Sequence, residues 1–180
     1  GSSKGSLAAR IAKLFMKEVV ARCSYGIDLH TAAIHRENIP QIRANLDDPE
    51  TERLARAFGV PVLINSTLRD GSLRMAAAEQ GVTMLLYEAG EALRFDEVSI
   101  RAGLKGVLNV MRELEMLPAR KRNTTVLKPP VVASSSSWVR APESGILRTL
   151  VSLGSQVEKD SLLALIADPF GEAGIEVRAE

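Results

Sequence analysis

An α/β layer architecture followed by a small all-β region is what this sequence predicts, on three grounds. Apolar runs of strand length alternate with segments of helical period as far as Leu117. Cap residues stand where those helical segments begin and end, and beyond Leu117 the pattern gives way to short β-rich pieces divided by turns. With 180 residues, 46% apolar and 25% charged, the chain suffices for one sizeable core plus a small satellite. The division expected is residues 1–118 and residues 124–180, joined by a polar connector.

Residues 6–22 place Leu7, Ile11, Leu14, Phe15 and Val19 at three- and four-residue steps, with Lys4, Lys13, Lys17 and Glu18 mostly opposite. This predicts an amphipathic helix packed on a sheet. Residues 25–30 are short and largely apolar, as in a strand covered on both faces, and Asp28 and His30 fall on one side of it. Residues 39–46 form a further extended piece. Asp47-Asp48-Pro49-Glu50 then starts a helix, with proline and acids in the first turn, that runs over 51–58 and ends at Gly59.

A strand over 61–66, a helix over 72–80 stopped by Gly81, and a strand over 82–87 come next. Residues 95–117 form a long helix with Asp96 and Glu97 in its first turn. Its inner side is predicted to carry Val98, Ala102, Leu104, Val107, Leu108, Met111 and Leu114. After the connector at 118–123, β-rich segments are expected at 125–132, 138–140, 146–151 and 162–166. The four serines at 134–137 read as a surface turn, because no histidine nearby in sequence could activate a nucleophile.

A net charge of +1 gives no global attraction toward nucleic acid or an acidic membrane. The single cysteine, Cys23, cannot form an internal disulfide, and no apolar run reaches the roughly 18 residues of a membrane span. The N-terminus lacks the order of a signal peptide. A cytoplasmic protein without nucleic-acid or membrane partners is therefore expected, with a homo-oligomer left open.

Two histidines are present, His30 and His35, and five positions apart they do not face the same way. At the end of a strand, His30 is either a hydrogen-bonded structural residue or a metal ligand. Asp28, one pleat earlier, could orient the imidazole as carboxylates behind metal-bound histidines do, or serve as a cap. Glu88 follows an apolar run, where desolvation would favour proton transfer, and Gly90 after it permits close approach of a substrate. The same glutamate could equally be a solvated strand end, and Glu91 is its competitor.

The ordered set Asp28-Leu29-His30-Thr31, Phe58-Gly59-Val60-Pro61, Gly71-Ser72-Leu73, Gly81, Tyr87-Glu88-Ala89-Gly90 and Gly106-Val107-Leu108-Asn109-Val110-Met111 resembles the later half of the succinylglutamate desuccinylase/aspartoacylase family, relatives of the zinc carboxypeptidases. The resemblance implies a zinc-carboxypeptidase-like mixed sheet and a zinc-dependent amidohydrolase acting on an N-acyl amino acid or a similar small amide. His30 matches the family's later zinc ligand in its DLH segment. Glu88 matches the general base that activates the zinc-bound water. Arg74 and Arg69 are candidates to hold a substrate carboxylate, since a planar guanidinium suits one, and Arg36, Asn38 and Arg43 are weaker ones.

Two departures stand beside these matches. No HxxE motif occurs, and the family's asparagine-arginine substrate motif is missing, while Gly1-Ser2-Ser3-Lys4-Gly5 looks like the sequence that follows it. The expectation is a fragment of the catalytic domain, inactive by itself, with an incomplete zinc site. The tail has a resemblance of its own: Ala141-Pro142-Glu143-Ser144-Gly145 and Leu153-Gly154-Ser155-Gln156-Val157 look like half of a biotinyl/lipoyl-like barrel. The position of its cofactor lysine corresponds to Ala167-Asp168-Pro169-Phe170-Gly171, which holds none, so no prosthetic group is expected there. A reading in a different class is a non-catalytic binding or assembly domain, with the α/β part as scaffold.

Overall fold

A computed structural model describes residues 1–119, 129–171 and 174–180. The chain forms two compact units, Gly1–Ser135 and Ser136–Glu180.

The first unit is built on five strands: β1 (Tyr25–His30), β2 (Asn38–Ala44), β3 (Val62–Asn65), β4 (Thr83–Gly90) and β5 (Val131–Ala133), arranged β1-β4-β2-β3-β5. β1 runs parallel to β4, β2 antiparallel to β4, and β3 parallel to both β2 and β5. The sheet is therefore mixed, with one reversal of direction at the β2–β4 seam. Among the described residues this unit has four α-helices: α1 (Leu7–Glu18), α2 (Pro49–Phe58), α3 (Leu73–Ala78) and α4 (Glu97–Glu113).

Local chemistry explains where the helices start. The side chains of Ser6, Asp48, Ser72 and Asp96 each accept a hydrogen bond from the backbone N–H three residues on, satisfying a donor that the first helical turn leaves free. Pro49 occupies the first turn of α2, and Gly59 ends that helix with φ of 84°, in the left-handed region.

Strand pleating separates two faces. Ile42, Ala44, Leu63, Leu85, Tyr87 and Ala89 point to one, where they form the core with Leu54 and Phe58 of α2 and Val110 of α4. Phe58 and Tyr87 stack with ring centroids 5.2 Å apart, and the Tyr87 hydroxyl donates to the Ser99 carbonyl at 2.7 Å. Burial, then the nearby Asp96 carboxylate, push the Tyr87 phenol up to about 12. A second cluster, Val20, Ala77 and Val82 with Met16, Leu73 and Met84 against it, joins the α1 and α3 segments to the lower part of the sheet.

Several sequence expectations are corrected here. The helix α1 ends at Glu18, and a short 3₁₀ turn takes over Val20–Arg22. Its apolar stripe does not pack on the sheet: Leu7, Ile11, Leu14 and Phe15 remain 44–64% exposed, and only Met16 and the following Val20 reach the second cluster. The face that α4 buries is also rotated from the predicted one, because Val98 and Leu104 are exposed while Gly103, Gly106 and Val110 are buried. Glycine sets that rotation. A Cβ on Gly106 would lie 1.9 Å from the Phe58 ring and one on Gly103 would lie 3.0 Å from Tyr87, so the bare backbone packs where a side chain was expected. The strand β4 runs on through Glu88 to Gly90 instead of stopping at Tyr87.

Residues 131–133, grouped by sequence with the β-rich tail, pair instead with β3 as the outer strand of the first sheet. Residues 120–123 of the connector expected at 118–123, and residues 125–128 of the β segment expected at 125–132, lie outside the described residues. The second unit holds β6 (Ile146–Thr149), β7 (Leu162–Ala167) and β8 (Ile175–Arg178) in a three-stranded antiparallel sheet with β7 central. Its described strands form an open sheet, and residues 138–140 are not a strand. Among the described residues no helix is long and apolar enough to cross a membrane.

Candidate active site

The register of three strands places the candidate residues. His30 of β1 lies directly beside Glu88 of β4, and Asp28 beside Leu86, while across the antiparallel seam Gln41 of β2 faces Glu88 and Arg43 faces Leu86. Paired residues on adjacent strands share a face. Asp28, His30, Glu88 and Arg43 thus emerge on one side of the sheet, opposite the side that carries the core.

These four line an open cleft of about 710 Å³, together with Asn65 at the end of β3, Ser66 and Arg69 from the segment after it, and Ser72 and Arg74 from the start of α3. All five residues singled out for the site by sequence, His30, Glu88, Asp28, Arg74 and Arg69, line this same cleft. Asp28 Oδ2 lies 3.0 Å from His30 Nε2, with the imidazole about half exposed. A neutral imidazole that turns an Nε2–H toward that carboxylate keeps its lone pair on Nδ1.

Glu88 does not stand alone at the end of an apolar layer. Its side chain is 18% exposed, and Oε2 accepts from Arg43 Nε at 2.8 Å. Oε1 has no hydrogen-bond partner among the described residues.

Arg74 is the most unusual group in the cleft. It is 8% exposed; Nη2 donates to Ser66 Oγ at 3.0 Å, while Nη1 is buried with no partner among the described residues. Burial first, and then the charges of Arg43 and Arg69, hold its guanidinium below the usual arginine range. A buried cation with a free donor, pressed by two like charges, is the environment that an anion relieves.

The sequence places Arg43 among the weaker carboxylate-holding candidates; in the structure its Nε donates to Glu88 Oε2. The signal was present in Gln41-Ile42-Arg43-Ala44, whose strict polar/apolar alternation marks a strand with one chemically active face. Ser66, the partner of Arg74, carried no signal of its own. Ser134 lines the cleft that His30 lines, although the two make no hydrogen bond.

As a metal site the described residues are partial. Among them no group of three or more His, Cys, Asp or Glu side chains converges to hold an ion. A catalytic zinc ion takes three protein ligands, and this donor set fits one of those positions, at His30 with Asp28 behind it.

Residues 2–114 match the model of the succinylglutamate desuccinylase/aspartoacylase catalytic domain. Among solved structures, the chain is similar to the apo form of the ectoine utilization protein EutE (DoeB) from Ruegeria pomeroyi, with 21% identity and a TM-score of 0.84 over 100% of this chain and 59% of that one. A succinylglutamate desuccinylase from a Silicibacter species gives 22% identity and a TM-score of 0.81 over 99% and 57% of the two chains. A succinylglutamate desuccinylase/aspartoacylase from Rhodobacter sphaeroides gives 19% and 0.80 over 100% and 57%. The chain thus spans less than two thirds of each of these proteins, and at these identities the likeness is one of fold. No curated protein sequence matches it. With the family's catalytic-domain pattern extending over more than half of its length, this chain belongs to the succinylglutamate desuccinylase/aspartoacylase family.

Proposed function

We propose that the protein hydrolyses the amide bond of an N-acyl amino acid or a similar small amide, with Glu88 as general base and His30 as one ligand of a catalytic zinc ion. The observation that supports this reading most is the direct register of His30 with Glu88 on adjacent parallel strands, on a face whose cleft also holds the unpartnered Nη1 of Arg74. The ligands that His30 lacks are assigned to residues outside these 180. Zinc, when bound, supplies polarisation of the scissile carbonyl and a lower pKa for water.

The chain's own residues account for the remaining steps. Asp28 holds the His30 ring so that Nδ1 is the coordinating atom. The Glu88 carboxylate takes a proton from the attacking water as the new C–O bond forms, then delivers it to the amine nitrogen as the C–N bond breaks. Arg74, with Arg69 beside it, binds a carboxylate of the substrate through the donor that the protein leaves free.

A binding or assembly role without catalysis is the second reading, and the exposed apolar stripe of α1 favours it. Zinc content and amine release from a panel of N-acyl amino acids, measured on the full-length protein, separate the two. His30→Ala is expected to lose the metal, whereas Glu88→Ala keeps it and loses turnover. Activity retained in both variants refutes the hydrolase.

A further inference from the structure

Arg43 makes an ion pair whose form does not suit mere cohesion of the sheet. Its β2 position faces Leu86, so it reaches Glu88 along the diagonal of the antiparallel pair, on the cleft side. A guanidinium that serves to bind a carboxylate tightly offers two parallel N–H groups to two oxygens. Here a single bond joins Nε to Oε2, at 2.8 Å; Oε1 and both Nη groups are left without hydrogen-bond partners among the described residues. The pair is also partly exposed, at 34% for Arg43 and 18% for Glu88, which limits what it can add to stability.

What the single bond does accomplish is geometric. A glutamate has three rotatable side-chain bonds, and without a contact beyond the strand its carboxylate would sweep the cleft. With Oε2 tied to a side chain two strands from β1, the carboxylate loses much of that freedom and Oε1 is the oxygen left for chemistry, on the residue that pairs with His30 in the β1–β4 register.

We propose that Arg43 is a positioning residue for Glu88: its Nε–H fixes one carboxylate oxygen so that the other is aimed for proton transfer. The inference rests on the reading of Glu88 as general base. It also separates Arg43, which has no part in holding substrate, from Arg69 and Arg74, which do.

A double-mutant cycle in the zinc-loaded full-length protein tests it. Arg43→Met is expected to lower kcat about 10–100-fold, the scale of an orientation defect, with KM, zinc content and melting temperature little changed. Arg43→Lys, which keeps the charge but not the Nε–H, stays closer to Arg43→Met than to the wild type. In a Glu88→Gln background, Arg43→Met should cost nothing further, because the residue acts through Glu88. Guanidinium at millimolar concentration should partly restore kcat to Arg43→Ala while leaving Glu88→Ala inert. Independently of activity, the Arg43 Nε–H resonance should exchange slowly with solvent in the wild type and quickly in Glu88→Ala.

Additive losses, or a rise in KM with kcat intact, overturn the positioning role and make Arg43 a substrate contact. An Nε–H that exchanges equally fast in both proteins overturns it as well. If Glu88→Gln retains full activity, the general-base reading itself fails and takes this inference with it.

Discussion

Asp28 and His30 stand one pleat apart on β1, and the aspartate Oδ2 lies 3.0 Å from the imidazole Nε2. A carboxylate so placed fixes the tautomer and the orientation of the ring before any ligand arrives. Asp28→Asn is therefore expected to weaken zinc binding about 10–100-fold, with His30→Ala losing it altogether. Titration of the full-length protein against a competing chelator reads both, and an unchanged affinity in Asp28→Asn would show that the ring is held by something else.

For Arg74, the free Nη1 predicts a dependence on carboxylates. A small dicarboxylate at one hundred times its dissociation constant should stabilise the wild type by about 2.7 kcal/mol, read as a higher melting temperature. Arg74→Met removes a buried, desolvated charge as well as the binding site. Its melting temperature without ligand should stay level or rise, its response to dicarboxylate should vanish, and KM for N-acyl amino acids should increase about tenfold or more.

Packing gives a sharper expectation at Gly106. A methyl group there meets the Phe58 ring at 1.9 Å, and that ring is stacked on Tyr87. Gly106→Ala should cost about 1–3 kcal/mol through forced displacement of α4, whereas Gly103→Ala, at 3.0 Å from Tyr87, should cost less. Denaturant unfolding of the two variants compares them directly.

Acid sensitivity follows from the helix caps. Hydrogen bonds from the Thr51 side chain and backbone hold Asp48 below the ordinary carboxylate range, and those from Ser99 do the same for Asp96. A carboxylate whose folded pKa is depressed stabilises the fold fully above its unfolded value, near about 3.9. That contribution is lost as pH falls through the lower folded value. Unfolding free energy should therefore drop below pH of about 4, and the slope should flatten in the Asp48→Asn, Asp96→Asn double variant.

Strands, caps and turns were legible because each is dictated within a few residues. Asp48-Pro49 and Gly59 bracket α2, and Asp28 and His30 share a side of β1 for the same local reason. The faces of α1 and α4 were not legible. In α4 the missing side chains of Gly103 and Gly106 define the packed surface, which a count of apolar residues overlooks. The meeting of His30 with Glu88 and of Glu88 with Arg43 depends on strand order and register, which no local pattern encodes. Residues 131–133 look like any β segment, and only their pairing with β3 decides which sheet receives them.

The reversal of direction at the β2–β4 seam has a kinetic side. Before β1 can lie against β4, the intervening β2, α2, β3 and α3 must be traversed, so the neighbourship of His30 and Glu88 is among the most non-local in this unit. Loop closure of that kind tends to come late. A refolding chain is thus expected to protect the amides of α2 before those of β1, passing through a compact helical species in which β1 is not yet paired with β4. Pulse-labelled hydrogen exchange would detect that order, and simultaneous protection of both elements would exclude it.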